Sequence, residues 1–174
     1  MVNILMNISQ YFPELKDFDF MNFLMVYIVP FTLTFIASFF VGLERQNHGK
    51  AAGISSHVLV AMSTCALAIL QTFLFNENPE HSDRQRLISY AVSGVGFMGA
   101  GTIIKDKFTV SGLTTAATIW TVAFIGITFG SGYIILGSIL SMFVISFLVI
   151  RDVSRHLNPF KRHEDDVRKK EFDL

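Results

Sequence analysis

The side chains that could bind an ion or move a proton in this 174-residue sequence lie in or beside long apolar segments. Glu44 and Arg45 follow the first segment, and His57 lies near the start of the second. A carboxylate is a hard oxygen ligand for cations, and an imidazole changes charge near neutral pH. One carboxylate makes no Mg²⁺ site alone, so Glu44 is a candidate ligand whose metal stays unknown. The alternatives are boundary ion pairing for Glu44 and an interfacial, solvent-reaching role for His57.

Two predicted helix faces carry small and polar residues at helical spacing. One face combines His57, Ala61, Thr64, Ala68 and Gln71, and the other combines Thr114, Thr118 and Thr121. Polar groups are costly in hydrocarbon, so such faces point either to a binding pocket or pathway or to close helix contacts. Glu44, Arg45, His57, Thr64, Thr114 and Thr118 are therefore the candidates for a ligand or ion pathway.

The stretch SGVGFMGAG at residues 93–101 contains the pattern G-x-G-x-x-G. A dinucleotide loop needs a preceding strand and an aqueous β-α-β unit, whereas this stretch lies in an apolar segment. Gly94 and Gly101 share one helix face, while Gly96 and Gly99 lie on another. We therefore expect either helices packed on both sides or a helix broken at the glycines, and Gly96→Leu should cost folding or function. Gly112 and Trp120 complete this packing motif, with Trp120 expected inside the bundle or at a helix end.

Several function classes are excluded by motifs that the sequence lacks. It shows no zinc-type Cys/His spacing, no Walker loop and no serine nucleophile elbow, so we expect no enzyme and no cofactor, and Mg²⁺ is only a candidate ligand. Cys65 is the single cysteine, which allows no disulfide within one chain. Nucleic acid is not an expected partner.

Composition and charge distribution predict an all-α membrane protein. Apolar residues make up 51% of the chain and charged residues 16%. Uncharged, mainly apolar segments of about 20 residues are long enough, as helices, to cross a hydrocarbon core of about 30 Å. We predict five transmembrane helices, at about residues 22–41, 55–75, 87–104, 113–127 and 133–150, with a kink at Pro30. Residues 1–21 form an N-terminal arm, 22–150 the transmembrane domain and 151–174 a charged tail.

The positions of the basic residues predict the orientation. Eleven of the fourteen Lys and Arg residues fall on the side that holds the C-terminus, and Lys16, Arg84 and Arg86 fall on the other. Cytoplasmic loops carry the excess of Lys and Arg, so the N-terminal arm is predicted outside and the tail in the cytoplasm.

Two stretches of the chain form a recognisable combination, GLERQNHGKAAGI and SGVGFMGAGTIIKDKFTVSGLTTAATIW. Through these motifs, over about residues 22–135, the chain resembles the MgtC/SapB membrane proteins. It implies a multi-pass inner-membrane protein linked to growth at low Mg²⁺ and, in some bacteria, to virulence. Ser55-Ser56, Tyr90 and Ser111 depart from the family pattern. Longer members carry a soluble C-terminal domain, which we do not expect in this tail.

The family's motif positions in this chain include glycines, charged residues and one tryptophan. They are Gly42, Glu44, Arg45, Lys50, Ala52, Gly53, Asp83, Arg86, Gly94, Gly96, Gly99, Gly101, Gly112, Thr115 and Trp120.

Two functions remain open at this point. In the first, the bundle binds or conducts an ion or small solute in connection with Mg²⁺. In the second, a bundle without transport activity binds and regulates another membrane protein through small-residue faces. The second gains support because the predicted spans lack acidic residues apart from Glu44 near a boundary. The lipid bilayer is the expected surrounding, and glycine-rich helices suit a homo-oligomer as well as packing within one chain.

Overall fold

The computed structural model of the chain describes residues 19–77, 83, 86–107 and 109–156. The predicted N-terminal arm and charged tail therefore lie almost wholly outside the described residues. The helices are α1 (Phe20–Asn47), α2 (Ile54–Glu77), α3 (Arg86–Ala100), α4 (Leu113–Gly130) and α5 (Ile134–His156). A two-stranded antiparallel hairpin, β1 (Ile104–Lys105) and β2 (Val110–Ser111), joins α3 to α4. The expectation of an all-α membrane bundle is confirmed.

Four of the five helices are long and apolar enough to cross a membrane, namely α1, α2, α4 and α5. The third, α3, has 15 residues, which at about 1.5 Å per residue is shorter than a typical hydrocarbon core. The helix at the predicted span 87–104 is thus shorter than the sequence predicted. The helix ends early because the amide of Thr102 bonds to the carbonyl of Gly99, and the chain then enters the hairpin.

The first helix is irregular beside Pro30, as the sequence predicts. Residues Leu24–Ile28 form a π-helical turn, closed by a hydrogen bond from the amide of Val29 to the carbonyl of Leu24. Proline has no N–H to donate to the preceding turn, and a wider turn is one way for the backbone to accommodate this.

Two glycines with positive φ lie in the turns at either end of α4. Gly112 ends the hairpin before α4, and Gly132 lies between α4 and α5. Gly112 precedes α4 with a φ of +85°, and a Cβ there would lie 1.8 Å from the carbonyl oxygen of Thr102. Gly132 has a φ of +84° in the turn between α4 and α5. Only glycine adopts such angles without strain, so both turns depend on it. The division of the long apolar run at residues 129–132 is confirmed.

The helices alternate in direction. Tyr27 of α1 stacks on Phe73 of α2, and Gly42 approaches Ile54, so these two helices are antiparallel. By contrast, α2 and α4 are parallel, since His57 contacts Thr118 near their starts and Cys65 contacts Gly130 further along both helices. We call the end that holds His48, the hairpin and Arg151 the Glu44 end. The opposite end, with Asn22, Asn76 and Ser131, is the Asn22 end.

The tightest packing in the core joins α2 and α4. A Cβ at Gly126 would lie 2.2 Å from the carbonyl oxygen of Ala61, and one at Gly130 would lie 2.3 Å from that of Cys65. Val41, Val122 and Ala123 are buried beside this contact. Helices can approach this closely in a membrane only where one of them has no side chain.

Candidate functional site

The strongest polar cluster surrounds Glu44 in the last turns of α1. Arg45 is fully buried, and its Nε and Nη2 both donate to the Glu44 carboxylate, Nη2 at 2.6 Å. Arg151 of α5 donates through Nη2 to Glu44 Oε1, also at 2.6 Å. One carboxylate is thus held between two guanidinium groups. The oxygens that would face a cation are occupied by positive side chains, so the cluster does not fit a Mg²⁺ ion.

A histidine extends this cluster between α1 and α5. His48 Nδ1 lies 2.7 Å from the carbonyl oxygen of Glu44, and Nε2 lies 2.5 Å from Asp152 Oδ1. A carbonyl only accepts hydrogen bonds, so Nδ1 donates. Beside them is a cavity of about 220 Å³ between the two helices. Its walls are largely apolar and include Phe40, Leu43, Ile145, Leu148 and Val149.

Sequence reasoning did not identify His48, Arg151 or Asp152 as members of this cluster. His48 follows Glu44 by four residues, which places both on one helix face. Arg151 and Asp152 come directly after the apolar run of α5. Both positions in the sequence could have indicated that these residues lie near Glu44 or near the end of a span. The register of α5 against α1, which brings the groups together, could not be read from one sequence.

His57 is held on both sides inside the bundle. It is fully buried, with Nδ1 2.7 Å from the carbonyl oxygen of Gly53 and Nε2 3.0 Å from Thr118 Oγ1. The alternative of an imidazole reaching toward the interface is therefore wrong. Both ring nitrogens already have partners, so His57 joins α2 to α4.

Only some of the threonines predicted to line a pathway or helix contact lie inside the bundle. Thr64 lies at the α2–α4 contact and donates toward the carbonyl oxygen of Ala123 at 3.0 Å. Thr118 is buried, but Thr114 is exposed at the start of α4. Thr115 takes the inward position instead. The placement of Thr114 on the inner face is corrected, because the direction in which α4 leaves Gly112 sets which residue of its first turn faces the core.

The glycine-rich stretch differs from both expected arrangements. The α3 helix continues without a break through Gly94, Gly96 and Gly99 to Ala100. A Cβ at Gly94 or Gly96 would meet nothing within 4 Å, whereas one at Gly99 would lie 3.5 Å from the carbonyl oxygen of Ala116. The side of α3 with Val95 and Gly99 is buried, whereas Gly94 and Gly96, which lie on different sides of the helix, both face open space. Gly101 lies in the turn that follows the helix.

Trp120 lies neither inside the bundle nor at a helix end, where the sequence predicts it. Its side chain is 44% exposed, and its ring stacks on Phe124 with centroids 4.4 Å apart. It lies in the middle of α4 on the outer surface, where two stacked aromatic rings suit a lipid environment better than the close α2–α4 contact would.

Among residues 19–77, 83, 86–107 and 109–156, no three His, Cys, Asp or Glu side chains group to hold a metal ion. Asp83 is at the Asn22 end, where its carbonyl oxygen accepts from Gln71 Nε2 at 3.0 Å. It is therefore remote from Glu44. Asp106 lies in the hairpin, where its Oδ1 accepts from the amide of Lys107.

Comparison with known proteins identifies the family. The sequence profile of the MgtC family matches residues 31–156. YhiD of Escherichia coli, which is named as a candidate magnesium transporter, is 38% identical over 126 residues, covering 68% of this chain and 59% of YhiD. Protein MgtC of Brucella abortus is 34% identical over 112 residues, covering 64% of this chain and 45% of MgtC.

An uncharacterised protein of Synechocystis sp. is 33% identical over 139 residues, covering 78% of this chain and 57% of its own length. The chain thus spans about half the length of these curated relatives. No solved structure matches it. The matched region contains the Glu44 cluster, the buried histidine and the glycine-rich helix. With its four long apolar helices, this multi-pass membrane protein belongs to the MgtC family.

Proposed function

We propose that this chain acts in the inner membrane during adaptation to low magnesium, and that it works by modulating another membrane protein. The observation that carries the proposal is the state of Glu44, whose carboxylate is bound by Arg45 and Arg151. A cation pathway needs oxygen ligands that are free to exchange with the ion. At Glu44 both guanidinium groups would have to leave first. Its relatives' names supply the connection to magnesium.

The exposed face of α3 supports the second half of the proposal. Gly94 and Gly96 are open to the surroundings, and neighbouring Phe97 is 83% exposed. In lipid, glycines on a helix surface let another helix approach closely, and an adjacent aromatic ring can then fill the space beside it. We assign the side of α3 that carries Gly96 to contact with a transmembrane helix of the regulated protein.

A growth experiment tests the proposal with one matched pair of variants. Gly96→Leu fills the open face of α3, and Ser146→Leu places the same side chain on the exposed surface of α5. Each is expressed in a bacterial strain that lacks its own copy and grows poorly at low Mg²⁺. We expect both variants to reach wild-type levels in the membrane. Ser146→Leu should restore growth, and Gly96→Leu should not.

Normal growth with Gly96→Leu would contradict the assigned face. Equal failure of both variants, despite normal levels in the membrane, would also contradict it, because the loss would then not be specific to α3. A virulence role, which the family resemblance suggests for some bacteria, is tested by the same pair of variants in an infection assay.

A further inference from the structure

A second cavity lies at the Asn22 end, far from the Glu44 cluster. It has a volume of about 320 Å³ and is bounded by α1, α2 and the turn between α4 and α5. Pockets that bind small molecules begin at about 300 Å³, and a dry cavity of about 150 Å³ already admits benzene. The space is therefore large enough for part of an organic molecule.

The polarity of the lining changes along the direction of the helices. Asn22 is in the first turn of α1, Asn76 is near the end of α2, and Ser131 is in the α4–α5 turn, so these polar side chains surround the mouth. Deeper in the bundle the walls are formed by Pro30 and Ile69, both buried. The cavity is polar where the helices leave the membrane and apolar toward its centre.

Two backbone features keep this space open. Met25 and Val26 line it from the π-helical turn of α1, and such turns occur often at functional sites. Gly130 lines it from α4 and contributes no side chain of its own, and a Cβ there would lie 2.3 Å from the carbonyl oxygen of Cys65. The cavity thus follows from the same glycine packing that joins α2 and α4.

The lining residues also define the charge of the occupant. No lysine, arginine, histidine, aspartate or glutamate is among the described residues that line the cavity. An ion drawn into the apolar part of the cavity would meet no charged partner among these residues, which is strongly unfavourable. The side chains of Asn22 and Asn76 are exposed at the mouth, and that of Ser131 is partly exposed. Amides and hydroxyls of this kind are suited to uncharged hydroxyl or ester groups.

We propose that this cavity binds one hydrocarbon chain of a neutral amphiphile from the bilayer. The uncharged headgroup lies at the ring of Asn22, Asn76 and Ser131, and the chain reaches toward Pro30 and Ile69. A monoacylglycerol has this chemistry. The match between the polarity of the walls and that of a lipid at the membrane boundary selects this class over ions and over charged lipids. This inference does not depend on the proposed function.

Photolabelling in nanodiscs tests the proposal with the full chain. The probe is a monoacylglycerol with a diazirine in the middle of its chain, and the labelled residues are mapped by mass spectrometry. We expect labels on α1 and α2 around Val26, Ile69 and Phe73, and unlabelled monooleoylglycerol should reduce them about tenfold. An oleate probe with the same diazirine, which is anionic, should label these positions far less.

Two kinds of variant show whether the labelling depends on the cavity. Val26→Trp fills the cavity and should abolish the label, while Ile139→Trp, on the exposed surface of α5, should keep it. If Val26→Trp fails to fold, Asn76→Leu at the mouth removes the headgroup contact and should reduce labelling several-fold.

Uniform labelling of all lipid-facing helices, equal labelling by oleate, or an unchanged label in Val26→Trp would overturn the proposal. Absence of any label at the cavity would also overturn it.

Discussion

Glu44 accepts hydrogen bonds from Arg45 and Arg151, and this arrangement decides what its carboxylate can do. Arg45 is fully buried, so its positive charge has Glu44 as its compensating partner inside the bundle. A guanidinium fork also fixes the orientation of the carboxylate more firmly than an ammonium group would. At the scale of single residues, the cluster therefore joins α1 to α5 and neutralises a buried charge.

Glu44→Gln should destabilise the protein strongly. The substitution leaves the buried Arg45 without its negative partner, which costs about 3 kcal/mol when one member of a buried pair is removed, and it also removes the ion pair with Arg151. The free energy of unfolding can be measured by titration with SDS in mixed micelles. The control is Asp106→Asn, in the exposed hairpin, which should change little. Equal stability of the two variants would refute the assigned role of Glu44.

Thr118→Val should weaken the contact between α2 and α4. It removes the hydroxyl that lies 3.0 Å from His57 Nε2 and leaves that buried nitrogen unpaired, at a cost of about 1 kcal/mol. The same unfolding titration measures the effect. Thr121→Val is the matched control, because the hydroxyl of Thr121 bonds only to the carbonyl of Ala117 in its own helix. A larger effect for Thr121→Val would be inconsistent with this account.

At the scale of elements, the glycines separate into two kinds. Gly126 and Gly130 are covered by the backbone of α2, whereas Gly94 and Gly96 face open space on α3. The sequence could not distinguish them, since both pairs lie in apolar helices and the family motif emphasises those of α3. What separates them is the position of a neighbouring helix, which is a tertiary property.

Alanine substitutions should reveal this difference directly. Gly126→Ala forces α2 and α4 apart and should cost about 2 kcal/mol of stability. Gly96→Ala adds a methyl group in open space and should stabilise α3 by about 0.5 kcal/mol, because alanine loses less backbone freedom in a helix. Thermal unfolding in detergent compares the two. Destabilisation of similar size in both variants would contradict the packing described for α2 and α4.

Sequence reasoning worked best where a single chain segment decides the outcome. The long apolar runs, the irregularity beside Pro30 and the turn at residues 129–132 were predicted correctly. It failed where two elements must be placed together. The length of α3 depends on where the hairpin begins, the inward choice of Thr115 over Thr114 depends on the turn at Gly112, and the partners of Glu44 depend on the register of α5.

At the scale of the whole molecule, the alternating helices place most of the basic residues of the described segments at the Glu44 end. The excess of Lys and Arg predicts that this end faces the cytoplasm. In spheroplasts, a membrane-impermeant maleimide should label Tyr133→Cys at once and Lys50→Cys only after permeabilisation; both positions are exposed. The native Cys65 is buried and gives little background. The opposite order of labelling would reverse the orientation.

The central claim is that the bundle does not conduct Mg²⁺ through the Glu44 cluster, and flux into liposomes tests it most directly. Purified wild-type protein and Glu44→Gln are reconstituted into liposomes loaded with a Mg²⁺-sensitive dye, and each sample is checked for folding by its SDS titration. We predict that neither protein raises Mg²⁺ entry above that of empty liposomes. A saturable Mg²⁺ flux through the wild-type protein that is lost in folded Glu44→Gln would contradict the account.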